Sequence, residues 1–278
     1  MLDTLTGFWH LQFMRHALMT GLLASIACGI IGTFVVVKRI VFLSGGISHT
    51  AYGGIGLGYF FGFNPIFGAI GFSLLAALGI AWVRHHASER EDTLIGIMWA
   101  MGMALGIFLI DKTPGYAPNL MSYLFGNILA VPTSDLILIF ILDLIILIIS
   151  FAFFKEFKAL TFDEEHATVS GVPVIALNIL LFCLIALTVV VLIKAVGIIL
   201  VIALLTIPAA IVVQFRLSLE KTMAWAIVLG AIFTTLGLVI SALFNITSGA
   251  TIIMIACVGY LISLAIKQFF VRPMGARK

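Results

Sequence analysis

Long apolar runs, separated by short charged or glycine-rich segments, constrain the fold of this chain more than any other feature. The runs lie near 17–37, 43–63, 65–83, 93–110, 136–154, 173–193, 197–213, 222–243 and 250–267. A helix needs about 20 mostly apolar residues to cross a bilayer. The runs lack the apolar–polar alternation of transmembrane barrel strands. We therefore predict an all-α polytopic bundle in which residues 1–278 form a single transmembrane domain.

The composition excludes several classes of protein. The chain is 63% hydrophobic and only 10% charged, whereas a soluble domain carries roughly a quarter charged residues. A water-soluble enzyme would expose apolar surface that it cannot cover, and a disordered chain needs the opposite composition. The net charge of +3 gives no support to a nucleic-acid partner. The expected surroundings of the chain are membrane lipid.

The basic residues predict an orientation. One set of alternate loops holds 12 Lys and Arg residues and the other holds three. The richer set is Lys38, Arg39, Arg84, Arg90, Lys155, Lys158, Arg216, Lys221, Lys267, Arg272, Arg277 and Lys278, and the poorer set is Arg15, Lys112 and Lys194. The positive-inside rule places the richer set and the C-terminus in the cytoplasm. Nine spans put the N-terminus outside; if 43–63 or 197–213 fails to cross, the count is eight.

Two further patterns concern packing. The stretch 112–134 is too short and too polar to span, and it predicts an external loop followed by a short interfacial or re-entrant helix. Small residues recur every fourth position, which favours close helix packing, with a backbone-lined path as the alternative. They are Gly54, Gly58 and Gly62; Gly21, Ser25 and Gly29; and Gly102 with Gly106.

His49 is one of two ionisable residues that lie clearly inside the predicted spans. Such residues are costly at membrane depth, so each is a functional candidate. At helical spacing His49 shares a face with Gly45, Gly46, Gly53 and Gly56, a face expected to leave open space. Imidazole suits zinc and other transition-metal ions. The alternative is a histidine hydrogen-bonded to a neighbouring helix.

Asp143 and Pro208 are weaker candidates for the same path. Asp143 has only apolar helical neighbours, so it must be protonated or paired across helices, and either a structural or an ion-path role is open. Pro208 lies inside an apolar run and predicts a kink. That kink serves packing, or it marks a broken helix whose freed carbonyl faces a permeation path.

The segment 155–173 predicts a short cytoplasmic helix. Thr161 is a candidate N-cap, with acidic residues in the positive first turn, Gly171 as the stop and Pro173 as the restart. The segment is a solvated connector or a docking helix for a partner. The chain has no GxxxxGK[ST] motif, so an ATP-driven process needs another chain to hydrolyse ATP, and an enzyme is the weaker class.

The sequence resembles the membrane permease subunits of ABC importers for divalent metal ions, the zinc, manganese and iron class. The resemblance rests on blocks at 45–58, 123–129, 162–173 and 196–210, with a weaker one at 248–252. It departs from many members at Gly45, where they carry Asp, and at Thr247, where they carry Pro. The missing Asp removes a carboxylate that would pair with His49 one turn away.

The resemblance implies a metal-ion ABC importer permease fold, a homodimer, two ABC ATPase subunits and an extracytoplasmic metal-binding protein. It also implies that the helix of His49 lines the ion path. With the candidates argued above from the residues, we predict an ion path of His49, the predicted metal ligand, Gly45, Gly46, Asp143 and Pro208. The resemblance further implies a coupling helix that seats on the ATPase. The coupling residues are Phe162, Asp163, Glu164, Glu165, His166 and Gly171.

We therefore predict the membrane subunit of an ATP-driven importer in the cytoplasmic (inner) membrane of a prokaryote. Its cargo is a divalent metal ion, zinc first because of the imidazole, then manganese or iron. No permanently bound cofactor is expected. The alternatives are a stand-alone secondary transporter or channel, and an ABC permease for a metal chelate.

Overall fold

A computed structural model of the chain describes residues 11–86, 91–114 and 121–270 and shows an all-helical bundle. The helices are α1 (Gln12–Val37), α2 (Val41–Phe61), α3 (Pro65–His86), α4 (Glu91–Lys112), α5 (Met121–Phe125), α6 (Thr133–Ala152), α7 (Phe154–Phe162), α8 (Glu164–Val169), α9 (Val174–Val196), α10 (Ile198–Val213), α11 (Leu219–Phe244) and α12 (Ser248–Phe270). A single 3₁₀ turn, Ile128–Ala130, lies between α5 and α6.

Each apolar run of the sequence forms a helix. Within the described residues, seven helices are long and apolar enough to cross a membrane: α1, α3, α4, α6, α9, α11 and α12. The other two are the runs that the sequence marks as weakest. Helix α10 is short, and α2 is diluted by glycine and polar residues. The polytopic all-helical fold is confirmed.

Helix α1 lies at the centre of one group and α2 at the centre of another. Helix α1 packs against α6, α10 and α11, while α2 packs between α3 and α4. Helix α9 contacts α3 on one side and α6 and α10 on the other, so it joins the two groups. Most of α2 is buried, which explains why this helix tolerates so polar a sequence: its neighbours are protein.

The recurring small residues other than Gly62 lie at close helix contacts, as predicted for packing, whereas Gly62 ends α2 with φ +73° and has open space at its Cβ position. On α1, Gly21 lies against Thr234 of α11. Between α2 and α4, a Cβ added to Gly56 would approach the Gly106 Cα to 2.7 Å, and one added to Gly102 would approach the Thr50 Cα to 2.6 Å. Only glycine allows backbones to come this near, and the resulting dispersion contacts hold helices together in lipid.

Ion pairs identify two opposite faces of the bundle. On one face, Lys38 after α1 and Arg84 in the last turn of α3 both reach Glu164 at the start of α8. On the other, Lys194 in the last turn of α9 pairs with Asp135 in the first turn of α6, at 2.9 Å. The basic residues of these pairs thus lie as the sequence predicts, with Lys38 and Arg84 on one face and Lys194 on the other. Arg90, Arg272, Arg277 and Lys278 lie outside the described residues.

A short re-entrant element closes the Lys194 face. Helix α5 and the 3₁₀ turn pack against α1, α9 and α10, so the non-helical backbone here is shielded by protein. Gly126 follows α5 with φ +67° and lies directly against the backbone of Gly197, which has φ +82°. The predicted short helix in 112–134 is confirmed, and residues 115–120 of that stretch lie outside the described ones.

Replacing a contact glycine should destabilise the bundle, whereas replacing an open one should not. In Gly106→Ala the new methyl group meets the backbone of α2, an overpacking that costs about 1–3 kcal/mol. Gly96 of the same helix has nothing within 4 Å of its Cβ position, so Gly96→Ala is the matched control. Thermal unfolding in detergent should show a lower midpoint for the first variant only. Equal midpoints would contradict this account of α2 packing.

Candidate ion pathway and coupling segment

His49 lies in the middle of α2 and stacks on an indole ring. The ring centroids of His49 and Trp99 of α4 are 4.1 Å apart, and the ring planes differ by 9°. The Nδ1 atom is buried and has no hydrogen-bond partner among the described residues. The imidazole is therefore held by stacking, with a ring nitrogen available as donor, acceptor or metal ligand. The predicted alternative, a histidine hydrogen-bonded to a neighbouring helix, is not seen at Nδ1 among the described residues.

The glycines around His49 are packed, and the expectation of open space beside them is wrong. A Cβ added to Gly46 would collide with the Ile95 side chain, and one added to Gly53 would approach the Phe72 ring to 2.9 Å. Glycine at these positions lets α3 and α4 approach α2, so the space is filled by neighbours. Gly45 differs, because its Cβ position is 3.5 Å from the Trp99 ring, an ordinary contact distance. A side chain at 45 would therefore begin beside the ring on which His49 stacks.

Asp143 is buried in α6 with no partner. Its side chain is 3% exposed, and neither carboxylate oxygen has a hydrogen-bond partner among the described residues. A paired carboxylate, one of the two options that the sequence raised, is thus not seen among the described residues. Helix α6 packs against α1 rather than α2, so Asp143 does not join His49 in one cluster.

The described residues hold no group of three or more His, Cys, Asp or Glu side chains placed to bind a metal ion together. His49 is therefore not part of such a group within this part of the chain. The arrangement fits a transient contact with a passing ion better than a resident site, since a resident transition metal takes four or more ligands.

Helix α10 runs through Pro208 without interruption, from Ile198 to Val213. The broken helix that the sequence raised as an alternative is therefore wrong at Pro208. The break lies instead at Gly197, between α9 and α10. Just before the proline, the Leu205 carbonyl lies directly against Gly32 of α1, so the proline region serves close packing with that helix.

Two tyrosines connect α2 to the re-entrant element. The hydroxyls of Tyr59, at the end of α2, and Tyr123, in α5, hydrogen-bond at 2.8 Å. Sequence reasoning missed this pair and Trp99, although the tyrosine at 123 lies in one of the blocks that carry the resemblance. The pairing joins residues 64 positions apart, and no local pattern in the sequence signals it.

The predicted coupling segment, residues 155–173, spans two short helices, α7 and α8, rather than one. Helix α7 buries Phe157 and Leu160, and its Thr161 hydroxyl donates back to the Phe157 carbonyl. The predicted Thr161 cap is therefore wrong. Asp163 caps α8, because its carboxylate accepts the His166 backbone N–H at 2.9 Å.

The rest of the α8 prediction is confirmed. Gly171 ends the helix with φ +80°, and its N–H donates to the Thr168 carbonyl. Pro173 directly precedes α9, as the predicted restart requires. Phe162 is 65% and Val169 is 89% exposed, and Glu165 and His166 also face outward. Glu164 alone among the acidic residues of α8 turns inward.

Comparisons with known proteins place this geometry in context. The model of the ABC 3 transport family matches residues 10–267. An uncharacterised membrane protein of Synechocystis sp. is 50% identical over 268 residues, covering 96% of this chain and 95% of that protein. The manganese transport system membrane protein MntC of Listeria monocytogenes is 35% identical over 259 residues, covering 93% of this chain and 92% of that protein.

A solved structure agrees over nearly the whole length. It is PsaBC from Streptococcus pneumoniae in complex with a Fab, with a TM-score of 0.87 and 33% sequence identity. The alignment covers 98% of each chain. The helical arrangement described above is thus shared with this solved structure.

Asp143→Asn should leave the fold intact, because the amide keeps the size and neutrality of a protonated carboxyl group. We expect the free energy of unfolding to change by less than about 1 kcal/mol. Loss of one partner of a buried ion pair would instead cost about 3–5 kcal/mol. Thermal unfolding in detergent separates the two, with Asp143→Leu as the comparison that also changes shape. A large loss of stability in Asp143→Asn would show a structural pairing.

Proposed function

Because this chain belongs to the ABC 3 transport family and is the membrane subunit of an ABC metal transport system, we propose that it forms the import path for a divalent transition-metal ion. The observation that carries the proposal is the unpartnered, buried Nδ1 of His49 within the bundle. An ionisable group at membrane depth is costly, and a ring nitrogen left without a hydrogen-bond partner among the described residues is therefore a functional candidate.

For the ion, we propose manganese first and zinc second. A relative at 35% identity over nearly the whole chain is named for manganese transport. Zinc, which the sequence favoured, is supported by the imidazole ligand alone. Gly45 supplies no carboxylate, so the path offers His49 without a second strong ligand one turn away. Such a contact holds an ion weakly enough to release it.

The proposed assembly is a homodimer with two ATPase subunits on the Lys38 face and an extracytoplasmic metal-binding protein on the Lys194 face. The excess of Lys and Arg places the Lys38 face in the cytoplasm. The outward residues of α8, chiefly Glu165 and Val169, together with Phe162 at the end of α7, offer a mixed apolar and acidic surface to the ATPase. The membrane is the cytoplasmic membrane of a prokaryote, and the C-terminus lies in the cytoplasm.

In this mechanism the binding protein delivers the ion to the face closed by α5. ATP binding and hydrolysis in the partner subunits move α8, and the bundle changes from outward-open to inward-open. The Tyr59–Tyr123 hydrogen bond joins α5 to the helix of His49, so opening at one end is linked to movement of the ligand. A stand-alone secondary transporter has less support, because family membership places the chain in an ABC system.

His49→Ala should impair metal uptake without loss of assembly. The variant removes the nitrogen ligand, and we expect manganese uptake to fall by about tenfold or more, with zinc measured in parallel. Uptake by cells that lack their own importers is the measurement, with protein level checked by immunoblot. Ser48→Ala is the matched control, since the hydroxyl of that residue bonds to the Ser44 carbonyl in the same helix. Normal uptake by well-expressed His49→Ala would overturn the proposed role.

A further inference from the structure

The carboxylate of Glu164 meets side chains from three other parts of the bundle. Its Oε1 accepts from Lys38 Nζ at 2.7 Å and from Arg84 Nη2 at 3.1 Å. The Asn178 side chain in α9 lines the same cavity as Glu164 and Arg84. Glu164, at the start of α8, is thus tied to the end of α1 and the end of α3, beside the first turns of α9. We name these four residues the Glu164 joint.

Lys38 is the innermost member of the Glu164 joint. Its side chain is only 3% exposed, and its ammonium also donates to the Leu160 carbonyl at 3.0 Å. A buried ammonium needs such partners, because removal from water is costly for an unpaired charge. One cation therefore fixes both the last turn of α7 and the first residue of α8.

Lys38 also begins the turn between α1 and α2. It caps α1, and Arg39 follows in the left-handed region with φ +60°, which reverses the chain into α2. The turn is held by hydrogen bonds from the Arg39 and Ile40 amides to the α1 carbonyls of Val36 and Val35. Helix α2 then carries His49 just over two turns further along. The joint thus connects α8 to the base of the helix with the candidate ligand.

The outward and inward sides of α8 are chemically distinct. Glu165 and Val169 are exposed and have no neighbour in the joint, whereas Glu164 lies between two cations. The sequence interpretation treats Glu164 and Glu165 alike, as residues that seat on the ATPase. The geometry divides them, because the Glu164 carboxylate is engaged by Lys38 and Arg84, whereas Glu165 is exposed.

We infer that the Glu164 joint is a positioning device that transmits displacement of α8 to the α1–α2 turn and so to the helix of His49. The inference rests on the proposed function. Glu164, Lys38 and Arg84 contact neither cargo nor nucleotide, and they act through the helices that they connect.

The joint stays charged under ordinary conditions. Burial acts to raise the pKa of Glu164, but the hydrogen bond and charge of Lys38 and the charge of Arg84 outweigh it and hold the pKa below its usual range. A lowered folded-state pKa means that the stabilisation is present at neutral pH and is lost only as the pH falls through that lowered value. The ion pairs of Glu164 with Lys38 and Arg84 therefore persist near neutral pH.

Neutralising Glu164 tests the inference against a matched ion pair. Glu164→Gln removes the charge of the joint while keeping its size. Glu220→Gln is the control, because Glu220 pairs with Lys158 at 2.9 Å on the same face but lies exposed. Each substitution thus replaces one ion-paired carboxylate with an amide of the same size.

The measurement is metal ions transported per ATP hydrolysed by the reconstituted complex, with manganese as the probe. For Glu164→Gln we expect this ratio to fall by about tenfold, while the complex coelutes with its ATPase and hydrolyses ATP. Glu220→Gln should keep the wild-type ratio. A wild-type ratio in Glu164→Gln would overturn the inference. If that variant does not assemble, Arg84→Gln, at a half-buried position, decides in the same way.

Hydrogen exchange on the isolated subunit separates the joint from the proposed function, since it needs neither ATPase nor metal. In Glu164→Gln we expect faster amide exchange in both α8 and the turn at 38–41, whereas Glu220→Gln leaves both unchanged. Faster exchange confined to α8 would overturn the transmission. A wild-type complex that moves no manganese or zinc would instead refute the proposed function and leave this result standing.

Discussion

Close backbone approach along α2 is the constraint on which the rest of the bundle depends. Lipid provides no hydrophobic drive for helix association, so helices must gain stability from contact area. Helix α2 is too polar to face lipid over its length, and its glycines let α3 and α4 cover it instead. The cover is what allows His49 to lie at membrane depth, stacked on Trp99 of α4. The packing that covers α2 therefore also holds the candidate ligand, His49, in place.

The sequence allowed much of this to be predicted, because membrane insertion depends on composition and length. Apolar runs, the sorting of basic residues and the spacing of small residues each reflect a local physical rule. Predictions failed where contacts between distant residues determine the local structure. Asp163 rather than Thr161 caps α8, since Thr161 lies within the preceding helix. The stack of His49 on Trp99 was missed, because it joins two helices whose register no local pattern gives.

The two ends of the bundle use different chemistry. On the Lys194 face, a neutral hydrogen bond between tyrosines and direct glycine contacts hold the re-entrant element in place. On the Lys38 face, a buried ammonium and a half-buried guanidinium share one carboxylate. Breaking a neutral hydrogen bond costs less than leaving a buried charge unpaired. The Lys194 face is therefore the easier one to open, whereas the Lys38 face is suited to transmit the movement of a partner.

On the proposed function, this chain moves a divalent transition-metal ion only as part of an ATP-driven complex. The most direct measurement is manganese accumulation in proteoliposomes that contain this subunit with its ATPase, supplied with the binding protein outside and ATP inside. The account predicts accumulation that requires ATP hydrolysis and stops when the ATPase is omitted. Accumulation by the subunit alone, or none of any divalent metal ion by the full complex, would contradict it.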